Sequence, residues 1–83
     1  MLAAAAAFAS GAPQAEHIIA GVVRDSSGAA VAGAQVSARF GKISATTTTD
    51  AQGAFQLMIA AAQARVRVEA AGFRPTTRDW TYG

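Results

Sequence analysis

The stretch Ala34-Gln35-Val36-Ser37-Ala38-Arg39-Phe40 decides the fold class. Small or apolar side chains at 34, 36, 38 and 40 alternate with polar ones at 35, 37 and 39, and a period of two sends the two sets to opposite sides of an extended backbone. The same period recurs on either side of this stretch. Ile19, Gly21 and Val23 alternate with Ala20, Val22 and Arg24; Phe55, Leu57 and Ile59 alternate with Ala54, Gln56 and Met58; Val66, Val68 and Ala70 alternate with Arg65, Arg67 and Glu69. Each set predicts a strand with one buried face. The threonines at 46–49 add β-branched side chains of little bulk, which suit a strand that is wet outside and shallow inside.

Between these runs one punctuation occurs twice, as Asp25-Ser26-Ser27-Gly28 and Asp50-Ala51-Gln52-Gly53. An aspartate that opens a turn accepts hydrogen bonds from backbone amides further along, and a glycine that closes it adopts positive φ at no steric cost. Asp25, Gly28, Asp50 and Gly53 are therefore assigned to chain reversals. The second reversal predicts a tight hairpin that pairs residues 44–49 with 54–59. Residues 60–64 suit a short helical turn or a loop, since alanine permits both, and Gly72 ends the fifth strand. After residue 15 no long amphipathic helix can be read, so the class is all-β, a small antiparallel Ig-like β-sandwich with short strands and frequent turns.

Composition limits what such a domain can do. The chain holds 23 alanines against 20 larger apolar residues, and alanine removes little area from water, so the core is small. No cysteine is present to staple it. Seven basic and five acidic residues are scattered singly, which concentrates no field for a phosphate backbone and argues against nucleic acid as a partner.

Residues 1–15 differ from the rest. Leu2-Ala-Ala-Ala-Ala-Ala-Phe8-Ala9 is a short apolar run, followed by small residues at Ser10, Ala12 and Ala15 that suit signal-peptidase cleavage. A positively charged start is missing, because no lysine or arginine precedes Arg24. The division is thus a signal-peptide-like or disordered alanine-rich leader at 1–15 and a β-sandwich domain at 16–83. It implies an exported protein, in the periplasm, at the outer membrane or on the extracellular surface.

The residues that carry chemistry are few. His17 is the sole histidine, with Glu16 as its near carboxylate, short of the three or four convergent ligands that a metal needs; it is expected to face solvent at the start of the first strand. Ser26, Ser27, Ser37 and Ser44 lie in turns or on wet strand faces without the spacing of a nucleophile elbow or triad. Asp25, Asp50 and Asp79 do not supply the oxygen set that calcium requires, and no cofactor is implied. Arg65 and Arg67 share one strand face, with Arg39 a candidate neighbour, and are candidates for contact with an acidic partner. Trp80 and Tyr82 share a face if residues 76–82 are extended; they either close the end of the core or stack on a sugar.

Taken in order, I-x-G-x-V-x-D-x-x-G-x-x-V-x-G-A-x-V from Ile19 to Val36, T-T-D-x-x-G-x-F-x-L from Thr48 to Leu57, and V-x-V-x-A-x-G-F from Val66 to Phe73 resemble the carboxypeptidase regulatory-like domain. The resemblance implies a transthyretin-like sandwich of seven strands. About two more strands are then expected after Phe73, where the sequence has room for one, so the domain is expected to lack its last strand and to belong to a longer polypeptide or to pair with another chain. In bacteria such modules follow the signal peptide of TonB-dependent outer-membrane receptors and occur in secreted or surface proteins. The implied role is a non-catalytic interaction or spacer module, with other domains of the same polypeptide or an envelope protein as partners. The alternative is a domain that binds carbohydrate or a small ligand. The oligomeric state is left open.

Overall fold

A computed structural model describes residues 16–82 and forms them into β1 (His17–Val22), β2 (Gln35–Phe40), β3 (Ile43–Thr48), β4 (Ala54–Ile59), β5 (Gln63–Glu69) and β6 (Thr76–Thr81). The leader read into residues 1–15 lies outside the described residues. All regular structure among the described residues is strand, arranged as a two-stranded sheet β1–β4 and a four-stranded sheet β3–β2–β5–β6, antiparallel throughout. The all-β sandwich expected from the alternation is the observed architecture. Of residues 60–64, 60–62 form a bend, the loop option of the two that the alanines allowed, whereas Gln63 and Ala64 already belong to β5; among the described residues β6 is the one strand that follows Gly72.

The period of two becomes packing in a direct way. Val36 and Ala38 of β2 and Ala64 and Val66 of β5 point inward from the larger sheet, and Ile19 of β1 with Leu57 and Ile59 of β4 meet them from the smaller one. Val23, Ile43, Ala45, Phe55, Val68 and Trp80 pack around this cluster. Val36 and Ile59 are its largest fully enclosed side chains, and four of the other seven buried apolar residues are alanines. Phe40, assigned inward by the alternation, is 44% exposed. It is the last residue of β2, beside the Gly41-Lys42 turn that pairs Phe40 with Ile43, so the sheet ends there before a second layer covers the ring.

The expected hairpin between residues 44–49 and 54–59 does not form. β3 pairs with β2 and β4 pairs with β1, so the Asp50–Gly53 turn carries the chain from one sheet to the other. Both strands still lie against each other, but face to face across the interlayer. The reason is the need for a cover. Beside β3, the side chains of Phe55, Leu57 and Ile59 would extend the same apolar layer as Val36, Ala38 and Val66 and leave both sets facing water. In the second sheet they oppose that layer and remove it from solvent.

The two Asp-x-x-Gly turns share one geometry. Asp25 Oδ1 accepts from Ser27 Oγ at 2.6 Å, Ser27 N at 2.9 Å and Ala29 N at 3.0 Å, while Asp50 Oδ1 accepts from Gln52 N and Ala54 N, each at 2.9 Å. In both turns the glycine amide donates to the aspartate carbonyl at 2.9 Å. At Asp25 the ionised carboxylate accepts its bonds more strongly than the neutral acid would, and the Ser27 hydroxyl first, then the Ala29 amide, hold the pKa below the ordinary aspartate value of 3.8. A carboxyl that is more acidic folded than unfolded contributes stability above its unfolded value and loses it as pH falls through the folded one. Melting temperatures of the protein and of Asp25→Ala, followed from neutral pH into that acidic range, are expected to converge. A constant gap across the range would show that the carboxylate charge contributes nothing.

Candidate functional site

Two regions hold the residues that the sequence singled out. The first is the end of the sandwich where β1 begins and β6 finishes. Trp80 projects from the inward side of β6 against the core, half-buried, and Tyr82 follows β6 exposed, its amide donating to the Ala62 carbonyl at 2.8 Å. His17 does not face open solvent as expected. It is half-buried, with its ring centroid 3.9 Å from that of Tyr82 and 6.3 Å from that of Trp80, at tilts of 34° and 53°. Residues far apart in the chain thus form one aromatic clasp between the sheets. His17 covers one side of the Tyr82 ring, while Trp80 contributes its area to the core.

The second region is the outward face of the four-stranded sheet. Arg65 and Arg67 stand there on β5, and the register places Arg39 of β2 directly opposite Arg65, with Asp79 of β6 on the other side of Arg65. Arg65 Nε donates to Asp79 Oδ1 at 3.2 Å, and Arg67 Nη2 donates to Glu69 Oε2 at 3.3 Å. All four side chains are exposed, which keeps such pairs weak, about 0–1 kcal/mol each. The next row across the sheet is Thr46, Ser37, Arg67 and Thr77. Sequence reasoning placed Arg65 and Arg67 on one face but not the hydroxyls and Asp79 around them. Of these the alternation marks Ser37 as outward; that the others stand beside the arginines depends on which strands are neighbours, which a local period does not give.

The outward face of the smaller sheet is of opposite character. Ile18, Ala20 and Val22 of β1 and Ala54, Gln56 and Met58 of β4 occupy it, with Ile18 paired to Met58 across the strands. Ile18, Val22 and Met58 are 53%, 50% and 57% exposed, and Gln56 is the single strongly polar side chain in the six. From Ile18 to Val22, strand β1 is therefore apolar on both faces, a pattern that belongs to strands covered on both sides.

No group of three or more histidine, aspartate or glutamate side chains gathers among the described residues in a way that could hold a metal ion. The carboxylates of Asp25 and Asp50 are occupied by their own turns, and Asp79 is engaged by Arg65. Among the described residues the arrangement presents apolar surface on the smaller sheet, and hydroxyls and guanidinium groups on the larger one.

No curated protein and no solved structure matches the chain significantly. The model of one family does, over residues 18–82, from the second residue of β1 to the end of the described chain. That span takes in both sheets, the two Asp-x-x-Gly turns and the Gly72-Phe73 corner, and the chain belongs to the carboxypeptidase regulatory-like domain family.

Proposed function

We propose that this chain is a non-catalytic docking and spacer module of an exported envelope protein, the N-terminal domain of a TonB-dependent receptor, and that it seats on a neighbouring domain of the same polypeptide through the outward face of β1–β4. The observation that carries this reading is the contrast between the two sheets. The larger one presents charge and hydroxyls outward, while the smaller presents Ile18, Val22 and Met58. An apolar face of this kind on a domain with so few large apolar residues is costly to leave in water and marks a contact surface. Its family of non-catalytic modules supports the same role, and the module carries out no covalent chemistry of its own. The alanine-rich leader supports export.

The test uses the full-length protein. A photo-crosslinking residue placed at Met58 is expected to give an intramolecular crosslink to a downstream domain, mapped by peptide mass. Labelling of Met58 by a water-soluble oxidant as fast as a free methionine, with no crosslink, would overturn the docking surface. The receptor version is checked separately by the coding DNA beyond Gly83, where an in-frame plug and barrel are expected and their absence removes it. The alternative role, a carbohydrate or small-ligand domain, has the outward arginines of the larger sheet in its favour.

A further inference from the structure

The outward face of the four-stranded sheet is built unlike an ordinary solubilising surface. Ser37, Ser44 and Thr46 are short and Arg39, Arg65 and Arg67 long, and both groups lie among the sixteen residues that line an open trough of about 960 Å³. Arg39 and Arg65 are direct cross-strand partners, and like charges placed opposite each other on a sheet repel. Asp79 relieves Arg65, and Glu69 relieves Arg67, while among the described residues Arg39 has no carboxylate within ion-pair distance. The core gains nothing from this arrangement, because all three arginines point away from it. An anion between them would remove the repulsion and use guanidinium geometry, which suits carboxylate and phosphate oxygens.

We propose that this trough binds an anionic oligosaccharide, with carboxylate or phosphate groups held by Arg39, Arg65 and Arg67 and sugar hydroxyls held by Ser37, Ser44 and Thr46. The mixture of groups selects that ligand class. A nucleic-acid backbone carries a charge on every unit and would meet Asp79 and Glu69 as well as the arginines, on a chain whose net charge is only +2. A sugar polymer with sparse charge and many hydroxyls matches a surface in which cations, carboxylate acceptors and hydroxyls alternate. The site lies on the opposite side of the molecule from the β1–β4 face, so the inference goes beyond the docking role and does not depend on it.

Titration of the ¹⁵N-labelled protein with tetragalacturonate and with a phosphorylated oligomannose separates the two sources of the anion. Saturable shifts confined to the outward residues of β2, β3 and β5 are expected with at least one of them, and a neutral maltotetraose should bind at least about ten-fold more weakly. Arg39→Gln and Arg67→Gln should each weaken binding about ten-fold, the loss of one charge-assisted contact. Arg78→Gln, on the inward side of β6, should leave it unchanged. Equal binding of maltotetraose, equal or tighter binding of oligothymidylate, equal loss in Arg78→Gln, or the absence of a saturable response to both anionic sugars would each overturn the proposal. Because these arginines are exposed, an unchanged amide spectrum away from the site will show that the variants fold. Arg39→Gln should leave the Met58 crosslink intact and Met58→Glu should leave sugar binding intact, so either reading can fail alone.

Discussion

Gly53→Ala is expected to be the most damaging single-methyl change in the domain, lowering stability by about 3 kcal/mol and the melting temperature by roughly 12–24 °C. Two effects add. Gly53 has φ of +77°, where an L side chain crowds its own carbonyl. A Cβ there would also stand 2.5 Å from the Val23 carbonyl oxygen, 3.2 Å from the Val31 amide nitrogen and 3.3 Å from the Ala30 Cβ. Two of these neighbours are backbone held in place by hydrogen bonds, since Val23 donates to the Gly53 carbonyl at 2.8 Å and Val31 donates to that of Val23 at 3.0 Å. They cannot move aside without breaking the seam where the crossover meets the end of β1. The twin turn provides the control. Gly28 has φ of +88° with nothing within 4 Å of its would-be Cβ, so Gly28→Ala should show the conformational part alone, about 1 kcal/mol. Chemical denaturation of the two variants measures the difference, and equal losses would show that the close approach at Gly53 has no energetic weight.

Thr49→Val is expected to cost about 2–3 kcal/mol with almost no change of shape. Thr49 is the single buried polar side chain among the described residues, 5% exposed, and its Oγ1 has two jobs. It donates to the Val31 carbonyl at 2.7 Å and accepts from the Ala34 amide at 2.8 Å. The backbone adds Thr49 N to the Ala34 carbonyl at 2.9 Å and Gly33 N to the Thr49 carbonyl at 3.1 Å. Four bonds thus tie the residue after β3 to the segment before β2, at the point where the chain leaves one sheet for the other. Valine fills the space and satisfies neither group, and the Ala34 amide, on a residue with no exposed surface, would have no water to turn to. Thr49→Ser keeps the hydroxyl and should recover most of the loss, while Thr48→Val, on the wet side of β3, should change stability by less than about 0.5 kcal/mol. Thermal melts of the three variants decide the matter: if Thr49→Val melts with Thr48→Val, the buried hydroxyl contributes nothing.

Neither residue announced its weight in the sequence. Thr49 stood in a run of four threonines, and three of the four serve only as strand residues of modest bulk. Gly53 was legible as a turn glycine, as Gly28 was, but the Val23 carbonyl against it arrives from a segment 30 residues earlier in the chain. The site shows the same limit. Arg65 and Arg67 share a face because they are two residues apart on one strand, and a strand's faces are local. Arg39 as the partner of Arg65, and His17 as the partner of Tyr82, depend on which strands adjoin and on which sheet covers which.

The amino-acid order alone determined where strands run, which side of each is apolar and where the chain reverses, because a period of two and the conformational tastes of aspartate and glycine act over a few residues. The tertiary structure decided the pairing of those strands. A backbone amide bonds to any carbonyl that is offered, so β4 was free to lie beside β3 or to cross over to β1. What settled it is the burial of Phe55, Leu57 and Ile59 against Val36, Ala38 and Val66, a gain that exists only once both sheets are in place.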